Sequence, residues 1–565
     1  MDFHHSLDFR PASLKLFKGG YSFSKFKSDL IAGIIVGIVA LPLAIAFAIA
    51  SGVNPSVGLI TAIIGGFIVS ALGGNSVQIG GPTGAFIVIV YNIISLYGLS
   101  GLAIATFMAG GILVLMGVFK LGTVIKFIPY PIVVGFTAGI ALTIFSTQMP
   151  DFFGLSIAEK LPADFIGKWG VYLRYFHTID WATAGVGIVS LLLIIWTPKI
   201  SKKLPGALVA IVVMTIFVWI MNSMGYLEGV ETIGMRFKNL TTDIPHPHSI
   251  GINMESINLL LPSAFTIAVL GAIESLLSAT VADGVTGGRT NSNTELIGQG
   301  LANITVPFFG GIPVTGAIAR TMTNITNGGR TPVAGIIHAV VLLLVYLFLM
   351  PLINLVPMAC LGAVLIVVAY NMSGWRTVVG IFRNPKSDIS VLIVTFLLTV
   401  IFDLTIAIEM GLLLAVVLFL RRVMENTSVR VYGQQLDAAD GDLSTHEVLD
   451  LAKGVGVYEI DGPFFFGVAT KFDEVMRTSR MNETPKVRII RMRKVPFIDA
   501  TGVHNLEILI TSAKDEGIVT VLSGVNPGVS ETLHKAGIDK LIGSENICSH
   551  ISEAVERANA IAEAK

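Results

Sequence analysis

Charge is what this sequence has least of. Asp, Glu, Lys and Arg make up 13% of its 565 residues, where a soluble globular chain carries about 25%. With 53% hydrophobic residues and a mean hydropathy of +0.76, it cannot cover itself with polar surface, so lipid is the expected solvent. The 38 basic side chains are matched by 38 acidic ones, so no basic excess argues for nucleic acid. Cysteine is nearly absent. Cys360 and Cys548 exclude a disulfide framework and a cysteine metal centre. The first 28 residues are polar, with Arg10, Lys15, Lys18, Lys25 and Lys27, and lack the early apolar core of a cleavable signal peptide. They read as a cytoplasmic leader. No G-x-x-x-x-G-K-[ST] loop and no set of nucleophile, base and orienter is visible, which argues against an enzyme and against a bound cofactor.

Long apolar runs are abundant instead. A spanning helix needs roughly 20 apolar residues. Fourteen such segments are expected near 30–50, 55–74, 83–97, 101–119, 130–149, 181–198, 204–223, 262–282, 296–310, 315–327, 332–350, 352–371, 387–404 and 405–421. Those at 83–97, 296–310 and 315–327 are short, and interrupted apolar segments of this kind point to a transport site. Lys120, Lys126, Lys199, Lys202, Lys203, Arg330, Arg376, Arg383, Lys386, Arg421 and Arg422 follow even-numbered segments. The positive-inside rule then puts the N-terminus and the C-terminal region in the cytoplasm. The transport domain is expected over 29–424, a polar linker over 425–445 and a soluble α/β domain over 446–565. In that domain, apolar runs at 454–460, 487–492 and 518–525 read as strands. The patterns near 470–481, 501–516, 528–537 and 545–564 read as helices.

Two short segments repeat. Pro82-Thr83-Gly84-Ala85 opens the third apolar segment, and Pro313-Val314-Thr315-Gly316-Ala317 opens the tenth. Thr83 and Thr315 are 232 residues apart, and the same offset carries Pro42 onto Glu274. Two halves of seven spans each therefore match, and an odd number of spans makes the second half enter from the other side. An inverted repeat sets the starts of spans three and ten facing each other. Their free N–H groups and positive dipole ends can hold an anion. Thr83 and Thr315 can cap these helices or donate a hydroxyl, and Gly84, Ala85, Gly316 and Ala317 keep the backbone approachable. The plainer alternative is a generic helix start with small residues for close packing.

Glu274 falls near the middle of the eighth span, where a carboxylate is costly and hence a functional candidate. Ser278 lies one turn on, on the same face. Arg320, in span ten, can attract the anion or satisfy carbonyls. Glu274 can also simply pair with Arg320. In the soluble part, Asp499 or Thr501 is placed to cap the helix that follows.

The stretches Ala40–Phe47, Gly80–Ala85, Gly271–Ser278, Thr315–Thr321 and Val495–Gly502 resemble, in order, motifs of the SulP anion permeases with a C-terminal STAS domain. The likeness runs from about residue 25 to 560. It implies an α-helical integral membrane protein of seven plus seven spans in an inverted repeat. It further implies uracil-permease-like core and gate domains that move against each other, and a homodimer. The implied substrates are small inorganic anions such as bicarbonate or sulfate. By the same resemblance Thr83, Gly316, Ala317 and Ile318 hold the substrate, Phe47 lines the pocket, and Glu274 with Ser278 takes a coupling ion, Na+ or H+. Thr501 matches the phosphorylated position of related anti-sigma-factor antagonists, and a cytoplasmic protein partner for the STAS domain is implied. Leu43 stands where many members have Gln, and no carboxylate is visible in span one. An uncoupled anion channel or exchanger, and an anion-sensing scaffold, are the alternatives to symport.

Overall fold

The structure, a computed structural model, describes residues 9–564 except 15, 17–20, 124–128, 160, 163, 202–203, 228, 238–244, 252–253, 403, 433–434, 438–447 and 469–484. Lys15, Lys18, Lys126, Lys202, Lys203 and the helix expected over 470–481 lie outside the described residues. The chain divides into two compact units, Met1–Ala415 and Val416–Lys565.

The first unit is helical. Its long elements are α1 (Phe23–Ala50), α2 (Pro55–Leu72, with a π turn at Thr61–Gly65), α3 (Ile87–Val118), α4 (Tyr130–Thr147), α5 (Trp181–Ile200) and α6 (Gly206–Ser223). They continue as α7 (Met254–Thr286), α8 (Ser292–Thr305), α9 (Ile318–Thr326), α10 (Pro332–Ile353), α11 (Met358–Ser373), α12 (Lys386–Ile401) and α13 (Leu404–Asn426), the last crossing into the second unit. Among the described residues, nine helices are long and apolar enough to cross a membrane. The third and fourth expected segments form one helix, α3. Gly98, at φ 70° and ψ −174°, breaks it into two arms, a conformation that favours glycine.

These helices pack as two groups. In one, α3 lies against α7 and α8, and α1 lies against α10. In the other, α4 lies against α11 and α12, and α5 against α6 and α11. Small residues set the close approaches. A methyl on Gly110 of α3 would meet the Gly300 carbonyl at 2.7 Å, and one on Gly300 would meet the Gly110 carbonyl at 2.7 Å. Gly33 and Gly37 of α1 abut Ile337 and Val341 of α10 in the same way. Where lipid supplies no hydrophobic drive between helices, such backbone contact holds them together.

The expected start of the first span, and its lack of a carboxylate, need correcting. Ser22 caps α1, which begins at Phe23 and so includes Asp29. Asp29 is fully buried, but its oxygens are engaged: Oδ1 accepts from the N–H groups of Arg330 (2.9 Å) and Thr331 (3.2 Å), and Oδ2 from the hydroxyls of Tyr21 (2.9 Å) and Thr331 (2.5 Å). It ties α1 to the start of α10. Burial, then this contact with Asp29, push the Tyr21 hydroxyl up to about 12.

The second unit is built on a five-stranded sheet, with β3 (Ser428–Tyr432), β4 (Val455–Asp461), β5 (Val487–Lys494), β6 (Val519–Ser523) and β7 (Ile547–Cys548) side by side in that order. Strand numbers begin at three because β1 (Gly80–Gly81) and β2 (Thr315–Gly316) belong to the first unit. β3 runs antiparallel to β4 and the other neighbours are parallel. The run 425–445 is thus no mere linker, since Ser428–Tyr432 supplies an edge strand. Helices α14 (Ala500–Asp515), α15 (Pro527–Lys535) and α16 (Ile551–Ala564) cover the sheet, with Ile490, Met492, Leu506, Leu509 and Leu522 in one core. Asp499, not Thr501, caps α14: its Oδ1 accepts from Gly502 N–H at 2.8 Å and its Oδ2 from Phe466 N–H at 3.1 Å. Thr501 is exposed in the first turn. Asp499→Ala should lower the melting point of this unit by the loss of about 1 kcal/mol, read from thermal circular dichroism of the full chain.

Candidate functional site

The two repeated segments meet at the centre of the first unit. β1 and β2 form a short antiparallel ladder that pairs Gly80 with Gly316 and Gly81 with Thr315. The chain leaves each strand in the opposite sense. After β1 it passes Thr83, makes one 3-10 turn at Gly84–Phe86, and continues as α3. After β2 it passes Ala317 and continues as α9. Ala317 N–H donates to the Ile79 carbonyl (2.9 Å), and Thr321 N–H to the Ala317 carbonyl (2.9 Å). The N–H groups of Ile318, Ala319 and Arg320 therefore have no intrahelical acceptor.

A cavity of about 410 Å³ opens here between the two helix groups. From the first group come Leu43, Phe47, Thr83, Gly84, Ala85, Glu274 and Ala317 to Arg320; from the second, Thr137 of α4 and Val368, Asn371 and Met372 of α11. Thr83 does not cap its helix, and its hydroxyl is buried without a hydrogen-bond partner. Gly84 admits a close approach: a methyl there would meet Met372 Sδ at 2.8 Å and the Phe47 ring at 3.6 Å. Arg320 is 2% exposed. Its Nη2 donates to the Pro82 carbonyl at 2.9 Å, while its Nη1 has no acceptor. Among the described residues no carboxylate lies within ion-pair distance of Arg320, so the pairing with Glu274 is not made.

Two expected residues lie behind this wall rather than on it. Thr315 is fully buried; its hydroxyl exchanges a hydrogen bond with Ser275 (2.7 Å) and donates to the Gly271 carbonyl (3.2 Å). Gly316 N–H donates to Ser275 Oγ at 3.2 Å, and Gln78 fills the space a side chain would need. As part of a strand, Thr315 points its side chain to the α7 face of the ladder, so the two threonines are not equivalent. Ser278 is also off the wall, its hydroxyl donating to Thr321 Oγ1 at 3.3 Å.

Sequence reasoning missed the support beneath. Glu295, in the first turn of α8, is fully buried. Its Oε2 accepts from the N–H groups of Gly74 (2.8 Å) and Asn75 (3.0 Å), and its Oε1 from Gln78 Nε2 (3.0 Å) and Gln299 Nε2 (2.9 Å). Asn303 holds both the N–H and the carbonyl of Val314, and Asn324 holds the Val77 carbonyl. The stretch that delivers Thr83 is thereby fastened to α8 and α9. The signal that could have found Glu295 is a lone acid in an apolar stretch rich in Gln and Asn. Glu295→Ala removes an acceptor from four donors, of which Gln78 Nε2 keeps the Ser275 carbonyl, and should cost roughly 3 kcal/mol or more. A large drop in the yield of monodisperse protein and in its melting temperature would be the readout, and an unchanged melt would remove this anchoring role.

The sequence pattern of the sulfate permease family matches residues 26–395. The chain belongs to the sulfate permease family. The STAS domain pattern matches residues 448–557. A relative in Bacillus subtilis (strain 168), called a putative sulfate transporter, is 41% identical over 94% of this chain and 98% of its own length. A Picosynechococcus protein called a bicarbonate transporter is 29% identical over 95% of both chains. The fold agrees with that of a murine Solute Carrier 26 member A9 anion transporter in its inward-facing state, at TM-score 0.87 and 18% identity, covering 99% of this chain and 96% of that one. The family's helical transport fold and C-terminal STAS domain are both present, and the protein is a multi-pass membrane transporter.

Proposed function

We propose that this permease carries a small inorganic anion, sulfate or bicarbonate, across the plasma membrane by secondary active transport. The observation that carries this reading is the cavity between the helix groups. There, the starts of α3 and α9 line one space with the unpartnered Thr83 hydroxyl and the unpaired Arg320 guanidinium. Helix N-termini and a planar guanidinium are complementary to an oxyanion. The relatives called sulfate and bicarbonate transporters support the choice of anion.

Glu274 is the coupling residue in this reading. Ionised, it sets a negative charge on the wall that the anion must approach; protonated, it leaves Arg320 unopposed. Anion and proton then bind more tightly together than apart, which is the linkage a symporter needs. Ser278 turned toward Thr321 argues for a proton over sodium, because a sodium ion needs several oxygen ligands converging on one point. The site lies where one helix group meets the other, which favours an elevator-like motion of the α3- and α9-bearing group. Homodimerisation, a cytoplasmic STAS domain, a protein partner for it, and phosphate at the exposed Thr501 complete the proposal.

The test is uptake into proteoliposomes of labelled sulfate and labelled bicarbonate, each with a proton gradient, a sodium gradient or neither. Accumulation of one anion driven by the proton gradient is expected. Equal, gradient-independent flux of both would replace symport by a channel or exchanger, and no flux of either would leave the scaffold reading.

A further inference from the structure

A second, much smaller space lies beyond the central cavity. It measures about 40 Å³ and is bordered by the end of α1, the first arm of α3, the end of α4, the end of α12 and the short helix Phe165–Tyr175. Ile144 lines it, and the Cδ1 of the same residue is 3.5 Å from where a methyl on Gly84 would stand. Ile144 thus stands between this space and Gly84 on the wall of the central cavity.

Lys168 lines this space and is only 6% exposed. Its Nζ sits 4.9 Å from the centre of the Tyr91 ring on α3. Among the described residues no carboxylate lies within ion-pair distance of it. Asp164, four residues before it, also lines the space; its Oδ2 accepts from Gly167 N–H at 2.6 Å, and its charge favours the ammonium from beyond ion-pair distance. A buried ammonium faced by one aromatic ring is undercompensated, since burying a charge without a partner is costly and a ring face returns only part of that. Burial pushes the Lys168 ammonium down from its ordinary range and Asp164 opposes this; a bound anion would hold the charge in place.

A second group points the same way. Ser146 also lines the space, is 1% exposed, and has a hydroxyl with no hydrogen-bond partner. Its neighbours Thr143 and Thr147 are different, each donating to a carbonyl of its own helix. A buried cation and a free hydroxyl donor thus border a void several times the minimum for one water.

We propose that this space is a second anion site, which takes a halide-sized monovalent inorganic anion between Lys168 and Ser146. Tyr91 and the central-site residue Gly84 lie on the same arm of the chain, so the second site is a station next to the central one. Only that station role rests on the transport reading above; the binding stands by itself, and the test separates them.

The test measures the melting temperature of the purified full-length protein against bromide, with gluconate keeping ionic strength constant. Wild type, Lys168→Gln, Lys168→Arg and the central-site variant Thr83→Tyr are compared, each checked for a single size-exclusion peak. Bromide should stabilise wild type, Lys168→Arg and Thr83→Tyr. In Lys168→Gln the midpoint should move to about tenfold higher bromide, as expected for losing one charge-assisted contact. An unchanged bromide response in Lys168→Gln overturns the site. So does the absence of any response in wild type, which would mean that water alone fills the space. A response lost in Thr83→Tyr but kept in Lys168→Gln assigns all binding to the central cavity and overturns the second site while leaving the transport reading intact.

Discussion

Thr83→Tyr is expected to abolish anion uptake while leaving the protein folded. The Thr83 side chain borders the 410 Å³ cavity, and its hydroxyl has no protein partner, so replacing it orphans nothing. A tyrosine ring at this position projects into the space between Phe47, Met372 and the start of α9 and takes the volume the anion needs. The N–H groups at the start of α9 would remain but would be shielded. Uptake in proteoliposomes should fall by about 100-fold or more, equivalent to ~3 kcal/mol of lost binding. The melting temperature should move by no more than a few degrees, about what 1 kcal/mol produces in a domain of this kind. Near-normal flux in this variant would move the substrate away from the starts of α3 and α9.

Glu274→Gln should separate accumulation from binding. The amide keeps the shape of the carboxyl group but cannot take up or release a proton. Among the described residues Glu274 makes no ion pair with Arg320, so the change breaks no structural contact there. Uptake against a gradient should drop by about tenfold or more, the scale of losing a positioned proton carrier. Anion affinity should stay the same or improve, because the amide resembles the protonated state that leaves Arg320 unopposed. Anion exchange without a gradient should persist. If accumulation survives at the wild-type level, Glu274 is a wall residue and coupling must be sought elsewhere. If affinity collapses together with uptake, Glu274 orients the site instead of coupling it.

Arg320 and Glu274 show how far the sequence carried. Both were legible as charged residues inside apolar helices, where each is expensive and hence worth naming. That they border one cavity without pairing depends on how α7 and α9 cross, which no local pattern records. Thr83 and Thr315 make the same point. They sit in near-identical motifs, yet one faces the cavity and the other is spent on Ser275 and the Gly271 carbonyl. The difference arises because Thr315 stands in the ladder and Thr83 stands just beyond it.

By itself the sequence determined that lipid is the solvent, where most of the helices run, and that two interrupted segments stand at matching places in the two halves. Those properties are local: an apolar run long enough to span, and a Pro-Thr-Gly-Ala start that releases backbone donors. Its motifs also determined the family. Only the tertiary structure decided which of the candidate side chains reach the cavity, that Asp29 belongs to the first helix, and that Ser428–Tyr432 is a strand. It alone brought Glu295 under the stretch before Thr83 and set Lys168 over Tyr91. Glu295 is more than two hundred residues from the N–H groups it holds. A buried polar group is satisfied by whatever the fold brings to it, and that partner is written in the packing of helices and not in the neighbouring sequence.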